Sequence, residues 1–497
     1  MTTALIPNGA FLNAELDFGL SMLRQVPVTQ QLVVSPISVI FALAMVQAGA
    51  RGKTKMQIDQ AISRGAADGA VVDYYSKLSR AIMTSNNGTQ ARIANGFFID
   101  KRFNISNEYA NTVSSMYSAK IESLDFTQPE QAAKTIENFV SQVTSGKLQN
   151  IANADTVKDA FAVLINAIYF NAEWEYKFLK GSSSNRTFNT TNNTGRLVGK
   201  RLSRCEQRKV FDKTHCSSGR PAGVAVIEFV NESDEERLYA EDQDMQLLSL
   251  RYKDPSYALN IFLPKNRFAI EQLREKLDGA YIQHMFSQLN MTSLRISIPK
   301  IKIETDFRLE EALMAMNVSE MFNDSADLTG ITDSLRLKVS SATHKAIIEV
   351  DEDGTTAAAV TLFKLIPRFA PPESVIFSAD HPFIFILTKD KNPLFIGQFL
   401  EYHTKGHMWK PHALYPSIIF ALLLYNGIVV IFLRPVCDQG QTMGGSMENL
   451  AIYVPRPANK FTQHYRVAIM TVASVDKMHN YEEALCEVCE KTLQFST

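Results

Sequence analysis

Residues 159–171 read DAFAVLINAIYFN. Apolar, branched and aromatic side chains follow one another almost without a break. An extended chain of this kind is buried on both faces of a sheet. Asn166 stands in the middle of the run, and a buried amide must find hydrogen-bond partners. A sheet covered on both sides, with polar groups beneath it, is the first demand this chain makes on its fold.

The rest of residues 1–400 supplies elements of both kinds. VVSPISVIFALAMVQAGARGKTKMQI (33–58) carries its own helix start and stop. Ser35 caps, Pro36 suits the first turn and Gly49 the exit. The helix between them is apolar nearly all round and is expected to be buried. Residues 106–118 and 129–144 read as amphipathic surface helices, and FRLEEALMAMNV (307–318) as another. YALNIFLP (257–264), SLRISIPKIKIET (293–305) and RLKVSSATHKAIIEVDE (336–352) read as extended. SVIFSADHPFIFILTKDKNPLFIGQFL (374–400) reads as two or three strands with a turn at Lys391-Asn392-Pro393. The pattern is mixed helix and strand without a repeat.

The net charge of −1 offers no global field for nucleic acid or an anionic membrane. The sequence also lacks a G-x-S-x-G elbow, an H-E-x-x-H helix, a phosphate loop and a dinucleotide fingerprint. The CEVC pair at 486–489 has no second pair or nearby histidines to complete a zinc site. No enzyme activity, cofactor or metal is expected. Five cysteines fit a reducing compartment better than a disulfide framework. The N-terminus, MTTALIPNGAFLNAELDFGL, has no basic n-region and no apolar core of signal-peptide length, so a cytoplasmic location is expected.

The stretch 351–372, DEDGTTAAAVTLFKLIPRFAPP, matches none of these patterns. Gly354 allows a backbone conformation that other residues resist, and so can act as a pivot. Beyond it an extended chain puts Thr355, Ala357, Ala359, Thr361, Phe363 and Leu365 on one face. That face carries no charge, and Lys364 falls on the other. It could slide between two strands without burying an unpaired charge, which would cost several kcal/mol. Pro367 and Pro371-Pro372 then hold Arg368 in an extended segment, the shape a trypsin-like protease binds. A surface loop that happens to contain an arginine is the plain alternative, but it leaves the alternation and the glycine unexplained.

These residues resemble the serpins, serine protease inhibitors of the suicide-substrate kind. VVSPISVIFALAMVQAGARG, VLINAIYFNAEWEYKF with Trp174, SSATHKAIIEVDEDGTTAAAV and HPFIFILTKDKNPLFIGQF carry the likeness, which covers nearly all of residues 10–400. The resemblance implies an α+β fold with three β-sheets, about eight or nine helices and an exposed reactive-centre loop, here 351–373. It implies a metastable molecule whose loop is cut by a protease and then inserts into the large sheet A, trapping the acyl-enzyme. Carried over residue by residue, the hinge is Glu352, Gly354, Thr355, Thr356, Ala357, Ala358 and Ala359, and the scissile bond is Arg368–Phe369. Ser35, Ser38, Asn166 and His344 match the shutter cluster beneath the opening sheet. The implied partner is a trypsin-like serine protease held as a covalent complex, with cysteine proteases that accept arginine as further targets, and the implied state is a monomer. A non-inhibitory carrier or chaperone-like binder is the alternative, and an extracellular location is the alternative to the cytoplasm.

Three features depart from the family pattern. Phe369 is large for its position, which narrows the set of proteases or lets a chymotrypsin-like enzyme cut one residue later. Residues 196–221 (RLVGKRLSRCEQRKVFDKTHCSSGRP) read as a basic insertion: a solvated loop or an annotated-intron artefact, or else a site for a polyanion or an import receptor. Residues 401–497 read as a separate tail. Within it, 411–433 carries no Asp, Glu, Lys or Arg. At about 1.5 Å rise per residue it can span a bilayer core of roughly 30 Å. The tail is either an acquired membrane segment or sequence from a mispredicted exon.

Overall fold

A computed structural model describes residues 9–84, 88–190, 224–333, 337–355 and 374–401, and the backbone of 429–431, 447–454 and 466–473. The described α-helices are α1 (Gly9–Arg24), α2 (Pro36–Gly49), α3 (Gly52–Ser63), α4 (Asp68–Met83), α5 (Asn107–Tyr117), α6 (Pro129–Val143), α7 (Ala154–Val157), α8 (Ile270–Lys276), α9 (Gly279–Ser287) and α10 (Leu309–Ala315). The strands begin with β1 (Leu32–Val34), β2 (Thr89–Asp100), β3 (Lys120–Leu124), β4 (Ala162–Glu173), β5 (Ser184–Asn189), β6 (Val224–Glu241), β7 (Met245–Arg251) and β8 (Tyr257–Pro264). They continue with β9 (Asn290–Pro299), β10 (Ile301–Phe307), β11 (Ser341–Val350), β12 (Gly354–Thr355), β13 (Val375–Ser378), β14 (Phe383–Lys389) and β15 (Asn392–Phe399). The chain divides into two compact units, Met1–His403 and Thr404–Thr497.

In the first unit, β10-β11-β4-β2-β3 form one sheet, with β12 on the edge of β4. A second, nine-stranded sheet runs β1-β15-β14-β8-β7-β6-β9-β13, with β5 on β6. Two smaller sheets were expected beside the large one. They run together here because β6, 18 residues long, pairs with β5 at its start and β7 at its end, and with β9 from Phe229 to Tyr239. Its ladder with β9 shifts register between Glu232 and Glu235, and a bulge of that kind bends a strand and lets it serve both parts.

The expected burial of residues 159–171 has a direct cause. Leu164, Ile168, Phe170 and Ala172 of β4 point into the main core between the sheets. Val163, Ile165, Ala167 and Tyr169 point the other way, into a second core covered by Ala132, Ala133, Ile136 and Val140 of α6. Alternation is invisible in the sequence because both faces are dry. Helix α2 lies between the two sheets, against β15 on one side and β4 and β2 on the other, and so has no polar face. The segment 293–305 splits at Lys300 into β9 and β10, which belong to different sheets.

The second unit contains β16 (Val429–Ile431), β17 (Met447–Val454) and β18 (Arg466–Ala473), an antiparallel sheet in the order β16-β17-β18. Apart from Val429–Ile431, the span 411–433 lies outside the described residues, as do 196–221 and all five cysteines. Among the described residues no helix is long and apolar enough to cross a membrane.

Candidate functional site: a half-open seam and a polar row beneath it

Strands β4 and β11 are parallel neighbours, paired from Val163↔Ser341 to Tyr169↔Ile347. There the ladder stops, although β4 continues to Glu173 and β11 to Val350. The seam is therefore closed below and open above. In the open part, Gly354 and Thr355 lie antiparallel on β4, opposite Glu173 and Ala172.

The turn that delivers them is tied down bond by bond. The Asp351 carboxylate accepts from the amides of Asp353 (2.9 Å) and Gly354 (3.2 Å). The Asp351 amide donates to Gly354 O at 2.9 Å. Trp174 donates its amide to Asp353 O (3.1 Å) and its indole N–H to Asp351 O (2.9 Å), while the Phe178 amide donates to Glu352 O (3.0 Å). Lys180 Nζ pairs with Asp353 at 3.0 Å, and Lys300 Nζ with Glu352 at 2.9 Å. Burial works to raise the Glu352 carboxyl, but the Ser183 hydroxyl and the Lys300 ammonium outweigh it and hold it below its ordinary value.

Gly354 has φ +141°, and a Cβ there would collide with the carbonyl oxygen of Ala172. Only glycine combines that dihedral with so close an approach. Thr355 is fully buried, its Oγ1 3.0 Å from the hydroxyl of Tyr252. Tyr252 in turn stacks on Trp174 with ring centroids 4.4 Å apart. Of the stretch 351–373 expected to form an exposed loop, residues 351–355 are seated on the body, because the open seam offers β4 an edge to pair and the turn's carboxylates and amides find the partners named above. Thr356, Ala357, Ala358, Ala359, Arg368 and Phe369 lie outside the described residues. On the far side, Ser374 Oγ donates to Asp234 at 2.7 Å and lies 3.0 Å from Ser293 Oγ, at the start of β13.

Below the open part the structure brings together all four polar residues singled out by the sequence. His344 stands opposite Asn166 across the β4–β11 seam, and Asn166 opposite Asn95 of β2. All three are fully buried, as are Ser35 and Ser38. Ser35 caps α2, its Oγ accepting from the Ser38 amide at 3.3 Å. Its own amide donates to His344 Nε2 at 2.9 Å. His344 Nδ1 lies 2.5 Å from Asn166 Oδ1. The Asn166 amide nitrogen reaches Ser38 O (2.9 Å), Ser38 Oγ (2.6 Å) and Asn95 Oδ1 (2.6 Å). Burial drives the His344 ring down to a pKa of about 3, so it is neutral at pH 7. The row is a continuous polar strap across β11, β4 and β2, anchored in the first turn of α2.

Sequence reasoning missed Asn95, Tyr252 and the Trp174–Tyr252 stack. An asparagine in the strand-like run ARIANGFFID was the available signal for the first; nothing local marks the second. Among the described residues no group of His, Cys, Asp and Glu is placed to hold a metal.

Comparison with known proteins agrees with this geometry. The family model described as "Serpin (serine protease inhibitor)" matches residues 13–217 and 223–402. Iripin-2 of Ixodes ricinus is 30% identical over 392 residues, covering 77% of this chain and 91% of that protein. Human Serpin B4 is 29% identical over 386 residues, covering 73% of this chain and 92% of that protein. Among solved structures, Serpin48 of the insect Tenebrio molitor aligns with a TM-score of 0.66 at 26% identity, over 80% of this chain and 99% of its own. The thermophilic serpin tengpin in its native state aligns with a TM-score of 0.68 at 24% identity, over 81% of this chain and 96% of its own. The family model and these matches make the chain a member of the serpin family, protease inhibitors rather than enzymes, with the α+β serpin fold.

Proposed function

We propose that this chain inhibits trypsin-like serine proteases as a suicide substrate, cut between Arg368 and Phe369. The observation that carries the reading is the seating of Gly354 and Thr355 on β4 at the open end of the seam. The strand that must be added has already begun. Continuing the Thr355↔Ala172 register without a slip sets Ala357 opposite Phe170, Ala359 opposite Ile168 and Thr361 opposite Asn166. These residues then share the core-facing side with Thr355, and none of them is charged. Lys364 turns to the opposite face.

In this mechanism the protease serine attacks the Arg368 carbonyl and forms an ester, and the Phe369 amine leaves. The freed strand threads between β4 and β11 and carries the acyl-enzyme away before water can cleave the ester. Threading must part His344 from Asn166, so the polar row acts as the shutter. The small side chains Thr356, Ala357, Ala358 and Ala359 make insertion cheap, which favours an inhibitor over a carrier. Phe369 narrows the proteases that fit. The reading takes the inhibitor to act as a monomer in a reducing compartment.

Mixing the protein with trypsin should give a complex that survives boiling in SDS, and Arg368→Ala should abolish it. Loop-cut protein should also melt at a higher temperature than intact protein. Simple nicking by trypsin, with no complex and no change in melting temperature, would transfer the chain to the carrier class.

A further inference from the structure

Thr355 is the first residue of the inserting strand, and its hydroxyl has a dedicated partner. Tyr252 reaches it from the other sheet. It follows β7, bridges to Trp174 just beyond β4, and is fully buried. Its ring is held between Trp174, stacked at 4.4 Å, and Phe170, edge-on at 5.3 Å, so the phenol oxygen has little freedom. It ends 3.0 Å from Thr355 Oγ1. Burial raises the Tyr252 phenol well above its ordinary range, so the hydroxyl keeps its proton.

Strand pairing is specified by register, and a slip by one residue would turn every side chain to the other face. A one-residue slip here would turn Phe363 away from the main core and set Lys364 toward it, on the Leu164 side. The main-chain ladder of β12 is only two residues long and is weak protection against such a slip. The hydroxyl pair supplies a side-chain check at the point where register is chosen. Both groups are fully buried and Thr355 keeps its place opposite Ala172 while the residues after it thread, so the pair can persist through insertion.

We propose that Tyr252 is a positioning residue that seats Thr355 in its final register before cleavage and so speeds threading against hydrolysis of the acyl-enzyme. The inference rests on the inhibitory reading above.

The test is the number of inhibitor molecules consumed per trypsin molecule trapped, measured for wild type, Tyr252→Phe, Thr355→Val, Thr355→Ser and the double variant Tyr252→Phe/Thr355→Val. Tyr252→Phe and Thr355→Val should each raise that number by about threefold or more, because slower threading lets more acyl-enzyme hydrolyse. Thr355→Ser should stay within about twofold of wild type, and the double variant should be no worse than either single one, as expected for two halves of one contact. An unchanged number for Tyr252→Phe, or additive losses in the double variant, would overturn the proposal. If wild type traps no trypsin at all, the inhibitory reading fails instead. Hydrogen exchange of uncut protein over residues 352–356 then decides the latch: faster exchange in Tyr252→Phe supports it, and equal exchange refutes it.

Discussion

The Ser35 amide has only a proton to offer, so His344 Nε2 must present its lone pair. The single proton of the neutral ring therefore sits on Nδ1, directed at Asn166 Oδ1. A second proton would collide with the Ser35 N–H and place a charge in a dry site. The folded ring titrates near pH 3 and the unfolded one near its ordinary 6.5. Its stabilisation is complete above pH 6.5 and is lost as pH falls through the window from 6.5 to 3, at about 1.4 kcal/mol per unit. Between pH 6.5 and 5 the melting temperature of wild type should fall more steeply than that of His344→Gln, in which the carboxylates are unchanged. Parallel curves in scanning calorimetry would mean that the ring does not titrate differently in the two states. Asn166 and His344 were legible in the sequence because each is a polar residue in an apolar strand, and a buried polar group demands partners. Tyr252 was not legible, because its role depends on a contact across 103 residues of chain and its neighbourhood shows only a polar turn.

At the scale of elements, α2 could be read almost to the residue, because a serine cap, an N1 proline and an exit glycine are local chemistry. The dry strand β4 was equally plain. What the sequence could not give was pairing. Residues 290–299 and 301–307 look alike, yet they join different sheets, and the long β6 merges what were expected to be two. Register and partner are set by tertiary fit, which a single pattern of alternation does not encode. The two-residue β12 is the clearest case: its small residues suggested an extended segment, but not that two of them pair with β4. Its burial sharpens one prediction. Thr355 is wholly buried with its hydroxyl on Tyr252, so Thr355→Arg would force an unpaired cation into the interior at a cost of several kcal/mol. Trypsin should cut this variant fully, yet the SDS-stable band on a gel should be lost. Survival of the band would mean that the hinge need not enter where β12 lies.

For the molecule as a whole, the hinge turn, the polar row and the root of β13 all lie within Met1–His403, which has its own core. A chain stopped at residue 402 should therefore match full-length protein in melting temperature and in trapping trypsin. A loss of either would give Thr404–Thr497 a part in the mechanism. Carbonate extraction of both forms tests whether 411–433 holds the protein in a membrane. The strap of His344, Asn166 and Asn95 has one more use. It crosses the β4–β11 seam, along which the sheet would part under the proposed mechanism, and it contains a single imidazole whose two nitrogens have unlike partners. The molecule thus carries its own gauge: nitrogen resonances from that ring, with no dye or spin label attached, would tell a shut sheet from a parted one in solution.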